Sequence, residues 1–211
     1  MSTPRLDVEG FILVGGASSR MGADKSRLVL KGRTTASLIT EALRPVTINV
    51  SLVGSSADPT NPSLRNIPDL QERWGPLGGI QAALHACETD YCLVVACDLP
   101  FLTSELFAYL LQLRSKADAT IDAVVPLQSD GRPQPLCAVY KKGACLMAAE
   151  KAIALGEHTP RAMLDKVKTR YVNFSEFASL PGSEHFFFNL NLPEDYERAK
   201  EIARQPCYPK R

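Results

Sequence analysis

The sequence predicts an α/β fold of the doubly wound, Rossmann-like type, with three layers and a mostly parallel sheet. Residues 11–14 and 91–96 are apolar throughout, and such runs are typical of strands buried on both faces of a parallel sheet. Segments with helical spacing lie between the predicted strands, as the crossovers of a parallel sheet require. A polar, proline-containing turn between residues 122–127 and 136–140 predicts a small antiparallel excursion.

Length and composition indicate one globular domain spanning residues 1–211. Hydrophobic residues make up 45% and charged residues 22% of the chain, values of an ordinary soluble protein rather than a disordered or membrane chain. A net charge of +1 argues against a general nucleic-acid surface. No apolar run reaches membrane length and no signal pattern begins the chain, so we expect a cytoplasmic protein. We expect reduced core thiols at Cys87, Cys92, Cys97, Cys137, Cys145 and Cys207.

The first half of the chain begins with the buried strand 11–14. Residues 28–30 form a short apolar piece followed by a turn, and residues 34–43 have one apolar helical face that ends before Pro45. The β-branched residues of 47–53 predict a second strand. Residues 58–68 contain three prolines and little periodicity, so we predict a surface loop there.

Predicted helices and strands also alternate in the second half of the chain. Glycines open a predicted helix over residues 80–87, the strand 91–96 follows, and residues 103–113 form the next helix. After the antiparallel strands come two helices, one that ends at Gly156 and one that begins after Pro160. These later elements are a helix over 144–154, a helix over 161–166, an edge strand over 169–173 and a last helix over 193–203.

The loop after the first strand carries groups that bind phosphate. Gly15 and Gly16 let backbone N–H groups approach a ligand, and Arg20 and Lys25 add two positive charges. The loop is not a P-loop, which needs a glycine directly before its lysine, and it lacks the third glycine of the dinucleotide fingerprint. It therefore predicts a polyphosphate site of a third kind.

Asp98 follows the most apolar strand and is held by the proline two residues later. A rigid carboxylate at a strand end suits Mg²⁺, with phosphates as further ligands. Alternatively Asp98 caps the helix over 103–113, although Thr103 or Ser104 is better placed for that role. Glycines at the second strand end and at the helix entrance of residues 75–79 are expected to line the same site.

Several motifs between residues 13 and 195 resemble those of the molybdenum cofactor guanylyltransferases and related nucleotidyltransferases, in that family's order. They are the glycine-rich loop of residues 15–25, Gly-Pro-Leu-Gly-Gly at 75–79, Asp-x-Pro at 98–100, a pterin-side segment at 132–136, and Asn-x-Asn-Leu-Pro at 189–193. The family has threonine where this chain has Leu192 and usually alanine at Val14. It tends to place an asparagine where residues 53–55 read Val-Gly-Ser.

The resemblance implies Mg²⁺-dependent transfer of GMP from GTP to the terminal phosphate of molybdenum-bearing molybdopterin, with release of pyrophosphate. Catalysis would fall to Arg20, Lys25 and Asp98, with Asp98 on Mg²⁺ and Asp69 on guanosine. Asn189 and Asn191 would orient metal-bound water or the acceptor. The further residues expected to bind substrate are Leu13, Val14, Gly15, Gly16, Gly75, Gly79 and Gln134.

Other functions remain open at this point. A cytidylyltransferase on the same pterin or a sugar- or polyol-phosphate nucleotidyltransferase would use the same fold, and a non-catalytic carrier would bind molybdopterin without releasing pyrophosphate. An oxidoreductase is disfavoured by the missing fingerprint. Cofactor-delivery proteins and a recipient molybdoenzyme are further candidate partners. We assign the three histidines surface or structural roles.

Overall fold

The computed structural model describes residues 7–14, 28–54, 63–70 and 74–204. Its main sheet has seven strands in the order β5-β4-β1-β6-β8-β7-β9. These strands are β1 (Val8–Leu13), β4 (Val50–Val53), β5 (Arg65–Ile67), β6 (Tyr91–Ala96), β7 (Ala123–Pro126), β8 (Cys137–Lys141) and β9 (Thr169–Val172). A separate hairpin pairs β2 (Val29–Leu30) with β3 (Arg33–Thr34).

The sheet is mostly parallel. Strand β1 pairs in parallel with β4 on one side and with β6 on the other, and β5 extends this parallel set beyond β4. Only β8 among these seven strands runs in the opposite direction, pairing antiparallel with both β6 and β7. The predicted fold class and antiparallel pairing are confirmed, and β8 lies within the main sheet rather than beside it.

Helices cover both faces of the sheet. They are α1 (Thr35–Leu43), α2 (Gly75–Ala86), α3 (Ser104–Lys116), α4 (Lys142–Ala154), α5 (Pro160–Leu164) and α6 (Pro193–Arg204). Helices α2, α4 and α5 share one core with Phe11 and Leu13, whereas α1 and α3 share another with Ile12. Successive side chains of β1 thus enter opposite cores, which explains why this strand is apolar at consecutive positions.

Helix α6 packs against the hairpin rather than against the main sheet. A third cluster joins Leu30 of β2, Phe101, Leu190 and the α6 residues Ala199, Ile202 and Ala203. The Tyr196 hydroxyl donates a hydrogen bond to the Val29 carbonyl at 2.7 Å. This cluster attaches α6 beside the turn that follows β6.

Several predicted boundaries are wrong: β1 begins at Val8 rather than at residue 11, and three further differences have clear physical causes. Residues 65–67 form β5 inside the predicted surface loop, because they pair with β4 at the edge of the sheet. Helix α2 begins at Gly75 rather than at residue 80, so the Gly-Pro-Leu-Gly-Gly segment is helical. Strand β4 begins at Val50 rather than Thr47, since the Thr47 hydroxyl and amide both bind the Leu43 carbonyl at 3.0 Å and close a turn after α1.

Two further expectations concern the core and the membrane. Cysteines 87, 92, 97, 137 and 145 are buried free thiols, as predicted, whereas Cys207 lies outside the described residues. In the part of the chain that the structure describes, no helix combines the length and the apolar character needed to cross a membrane.

Candidate active site

The carboxyl ends of β1 and β6 meet at the point where the order of the sheet reverses. From β1 the chain adds β4 and then β5 on one side, and it returns through α2 to place β6 on the other side. Leu13 is in register with Ala96, and the Cys97 N–H donates to the Leu13 carbonyl at 3.1 Å. Ligands of open α/β sheets bind in the crevice at such a switch point.

Asp98 lies one residue beyond that hydrogen bond and is half-buried. Its role as the cap of α3 is excluded by the structure, because the Thr103 hydroxyl accepts the hydrogen bond from the Leu106 N–H that caps this helix. The backbone carbonyl of Asp98 accepts a hydrogen bond from the Leu190 N–H at 3.0 Å. Asp98 therefore lies at the switch point, with the segment 189–191 attached beside it.

Residues 189–191 form a segment without helix or strand structure before α6. Asn189 donates its side-chain N–H to the Phe187 carbonyl at 3.1 Å, which leaves its amide oxygen for a ligand. Leu190 between the two asparagines is fully buried. The structure thus brings both predicted asparagines to the turn that carries Asp98, although they are about 90 residues apart in the chain by the numbering.

On the other side of β1, the ends of β4 and β5 continue the same edge. Val53 is in register with Leu13 and with Ile67. Asp69 lies two residues beyond Ile67, where it remains exposed, and desolvation by the surrounding protein raises the pKa of its carboxyl above the ordinary 3.8. Because neighbouring strands are about 4.8 Å apart, the ends of β5 and β6 are about 14 Å apart, which suits an extended nucleotide.

Gly54 fits closely against the end of β1. Its φ is +127°, and a Cβ atom at this position would lie 1.7 Å from the carbonyl oxygen of Val14. The Val14 N–H donates to the Val53 carbonyl at 2.8 Å, so the two strand ends are in direct contact. An asparagine side chain, as the related family tends to have near this strand end, does not fit at position 54 without moving the backbone.

The first turns of α2 pack against the same strand end. A Cβ atom on Gly79 would lie 3.1 Å from the Leu13 side chain, so this glycine allows close packing of the helix on β1. Gly75 begins the helix, and among the residues that the structure describes no side chain caps it. Trp74 before it stacks on His158, with ring centroids 4.4 Å apart, which gives that histidine a structural contact beside the site.

Gln134 lies at the same edge, on the far side of β6. It is buried, and its backbone N–H donates to the Pro126 carbonyl at the end of β7. Its side-chain oxygen accepts a hydrogen bond from the Leu136 N–H at 3.4 Å, and the Leu136 carbonyl accepts one from Ala96. The loop of residues 130–135 is thereby attached next to the strand that delivers Asp98.

The structure brings the described candidate residues to one edge of the sheet in a fixed order. This order is Asp69, Gly54, Leu13 with Val14, Asp98 with Asn189, and finally Gln134. Gly15, Gly16, Arg20 and Lys25 lie outside the described residues. Gly79 is placed inside α2, where it packs against Leu13.

The donor set at the switch point fits Mg²⁺. Asp98 offers carboxylate oxygens and Asn189 an amide oxygen, and Mg²⁺ takes oxygen ligands, commonly one or two carboxylates together with substrate phosphates. Two features of the site escaped the sequence analysis. One is strand β5, which is too short to show a period, and the other is the contact of Asp195 with Asn191, which no local pattern indicates.

This fold, with a carboxylate at the switch point and further polar groups along the carboxyl edge, defines an enzyme of the nucleotidyltransferase class. The chain belongs to the family described as the MobA-like NTP transferase domain, whose model matches residues 10–171. Enzymes of this family generally use a divalent metal ion.

Curated relatives and a solved structure agree with this family. A probable molybdenum cofactor guanylyltransferase of Pelotomaculum thermopropionicum is 34% identical over 199 residues, which cover 94% of each chain. Another from Carboxydothermus hydrogenoformans is 31% identical over 90% of this chain and 94% of its own. The molybdopterin-guanine dinucleotide biosynthesis protein A of Archaeoglobus fulgidus superposes with a TM-score of 0.77 at 28% identity, covering 92% of this chain and 98% of its own.

Proposed function

We propose that this protein transfers GMP from GTP to the terminal phosphate of molybdopterin, in the biosynthesis of a molybdenum cofactor. The placement of Asp98 at the switch point, directly beside the end of β1, carries the proposal. The relatives named molybdenum cofactor guanylyltransferase support the choice of substrates. We further propose that residues 1–211 act as one domain, because the candidate groups extend from β1 to the segment before α6.

In the proposed reaction an oxygen of the molybdopterin phosphate attacks the α-phosphorus of GTP. A new bond forms between that oxygen and the α-phosphorus. The bond between the α-phosphorus and the oxygen that bridges to the β-phosphate breaks, and pyrophosphate leaves. No covalent enzyme intermediate is needed, because positioning and charge neutralisation account for most catalysis of such transfers. When bound, Mg²⁺ would neutralise phosphate charge, held by Asp98 and Asn189.

We assign the remaining roles from the order of residues along the sheet edge and from the family resemblance. Asp69, three strands from Asp98, would accept hydrogen bonds from the N–H groups of guanine. Lys25 and Arg20 from the loop after β1 would offset charge on the phosphates and the leaving group. Gln134, beyond β6, would line the side left for the pterin, and Asn191 would orient the acceptor.

A panel of the four nucleoside triphosphates with Mg²⁺ and metallated molybdopterin tests the proposal. We expect pyrophosphate release and a dinucleotide product, identified by mass, with GTP preferred. A product from CTP would instead identify a cytidylyltransferase. Pterin binding without pyrophosphate release from any nucleotide would identify a carrier and contradict the proposal.

Substitution of Asp98 tests its assigned role. We expect Asp98→Ala to lower turnover by about 10²-fold or more, the scale of a deleted transition-state contact, while the protein remains folded. Asp90→Ala is the matched control, because it removes an exposed carboxylate just before the opposite end of the same strand. Thr103→Ala should lower the stability of α3 by about 1 kcal/mol without changing the Mg²⁺ dependence. Near-normal turnover of Asp98→Ala would remove the metal assignment.

A further inference from the structure

The segment 189–191 is held by a different contact at each of its residues. The Asn189 side chain donates to Phe187, and the Leu190 backbone N–H donates to the Asp98 carbonyl at 3.0 Å. The backbone N–H of Asn191 donates to the carboxylate of Asp195 at 2.9 Å. The turn of Asp98 therefore fixes one side of this segment, and Asp195 fixes the other.

The same carboxylate oxygen of Asp195 also accepts the N–H of Leu192 at 2.8 Å. Asp195 is the third residue of α6, and a side chain at that position commonly returns to the N–H of the capping residue in a capping box. The other half of such a box is a hydroxyl on the capping residue, which Leu192 does not have. Asp195 thus accepts two backbone hydrogen bonds at this helix start.

We propose that Asp195 is a positioning residue for the metal end of the active site, an inference that rests on the proposed function. Its charge strengthens the two hydrogen bonds it accepts, and these fix the backbone of Asn191 and Leu192. Leu190 is buried and hydrogen-bonded to Asp98, so the segment is fixed on that side. If the backbone of Asn191 shifts, the position of this asparagine relative to Asp98 changes. Asp195 thus acts on the metal site through the backbone, without contacting substrate.

Asp195→Ala removes both hydrogen bonds, and two measurements follow the effect. The first is the Mg²⁺ concentration that gives half-maximal pyrophosphate release, which we expect to rise roughly 10- to 100-fold, as for other partners that orient metal ligands. The second needs no turnover: Mn²⁺ with a non-reacting α,β-methylene analogue of GTP should broaden the side-chain amide NMR signals of Asn189 and Asn191 in the wild type. In the variant we expect weaker broadening at Asn191, while the backbone signal of Leu99 stays broadened.

Two further variants separate positioning from helix stability. Glu194→Ala removes an exposed acid from the same helical turn and should leave the Mg²⁺ dependence unchanged. Adding Leu192→Thr to Asp195→Ala supplies the capping hydroxyl, so we expect the melting temperature to recover. The Mg²⁺ concentration for half-maximal pyrophosphate release should stay raised. Recovery of both together would assign Asp195 a structural role only and overturn the inference.

The inference and the proposed function fail in different ways. If wild-type Mn²⁺ broadens the Leu99 and asparagine signals and Asp195→Ala does so equally, with unchanged Mg²⁺ dependence, the inference is wrong and the function stands. If the wild type neither releases pyrophosphate from GTP nor shows broadening near Asp98, the proposed function is wrong and the inference is overturned with it.

Discussion

Asp69 lies exposed beyond the end of β5, and desolvation raises the pKa of its carboxyl. A folded-state pKa above the unfolded value means that the protonated form favours folding. The resulting cost to stability is absent at low pH, develops as the pH rises through this pKa range, and is fully present at neutral pH. An ionised Asp69 therefore destabilises the fold slightly, and in the proposed function the same ionised carboxylate would be the acceptor for guanine.

Asp69→Asn should separate binding from stability. The amide cannot ionise, so we expect the variant to melt at the wild-type temperature or above it at pH 7. It also replaces one acceptor by a donor, so GTP should bind roughly 10- to 100-fold more weakly, about 1.5–3 kcal/mol for hydrogen bonds to a charged group. Calorimetric titration with GTP checks this, with Asp90→Asn as the control, and unchanged affinity would contradict the assignment.

Single residues were predictable where their chemical type and their place at a strand end coincided. Asp98 met both conditions, because a carboxylate two residues after the end of a buried strand has few structural uses. Asp195 met neither: its carboxylate belongs to a helix start, and its contact with Asn191 becomes visible only with the backbone in place. The Trp74–His158 stack joins residues 84 positions apart by their numbering and had no local signal.

At the scale of elements, the junction of β1 and β4 depends on Gly54. A Cβ atom there would lie 1.7 Å from the Val14 carbonyl oxygen, which must then move. We expect Gly54→Ala to lower the free energy of unfolding by on the order of 3 kcal/mol or more and to weaken GTP binding. Urea denaturation measures the loss of stability.

Gly131→Ala is the matched control for this substitution. Gly131 also has a positive φ, +82°, but apart from its chain neighbours no described residue has an atom within 4 Å of a Cβ atom placed there. Its cost should be limited to the backbone conformation, about 1–2 kcal/mol. An equal loss of stability in the two variants would show that contact with Val14 is not what requires glycine at position 54.

Most helices and strands were predictable because the spacing of apolar residues, the helix-capping residues and the prolines and glycines at element ends all indicated the same elements. Helix α1 begins after Thr34, whose side chain accepts from the Ser37 N–H, and β6 has the predicted bounds. Helix α2 began earlier than predicted because glycine and proline usually mark a turn, whereas here packing on Leu13 favours the helix. Strand β5 was missed because three residues among prolines show no periodicity.

At the scale of the whole molecule, strand order explains how the site is assembled. The reversal at β1 and β6 brings the end of β1 and Asp98 to one crevice, and the parallel set out to β5 extends it toward Asp69. The doubly wound class was predictable from strands that are apolar on both faces. The packing of α6 on the hairpin was not, because it joins residues near 30 and 200 with no shared local signal.

A crystal structure with Mn²⁺ and the α,β-methylene analogue of GTP tests the central claim most directly. We expect the anomalous peak of Mn²⁺ in contact with the Asp98 carboxylate, the guanine at Asp69, and the triphosphate across the ends of β4 and β1. A peak remote from Asp98, or a nucleotide bound at the opposite edge of the sheet near Asp90, would contradict it.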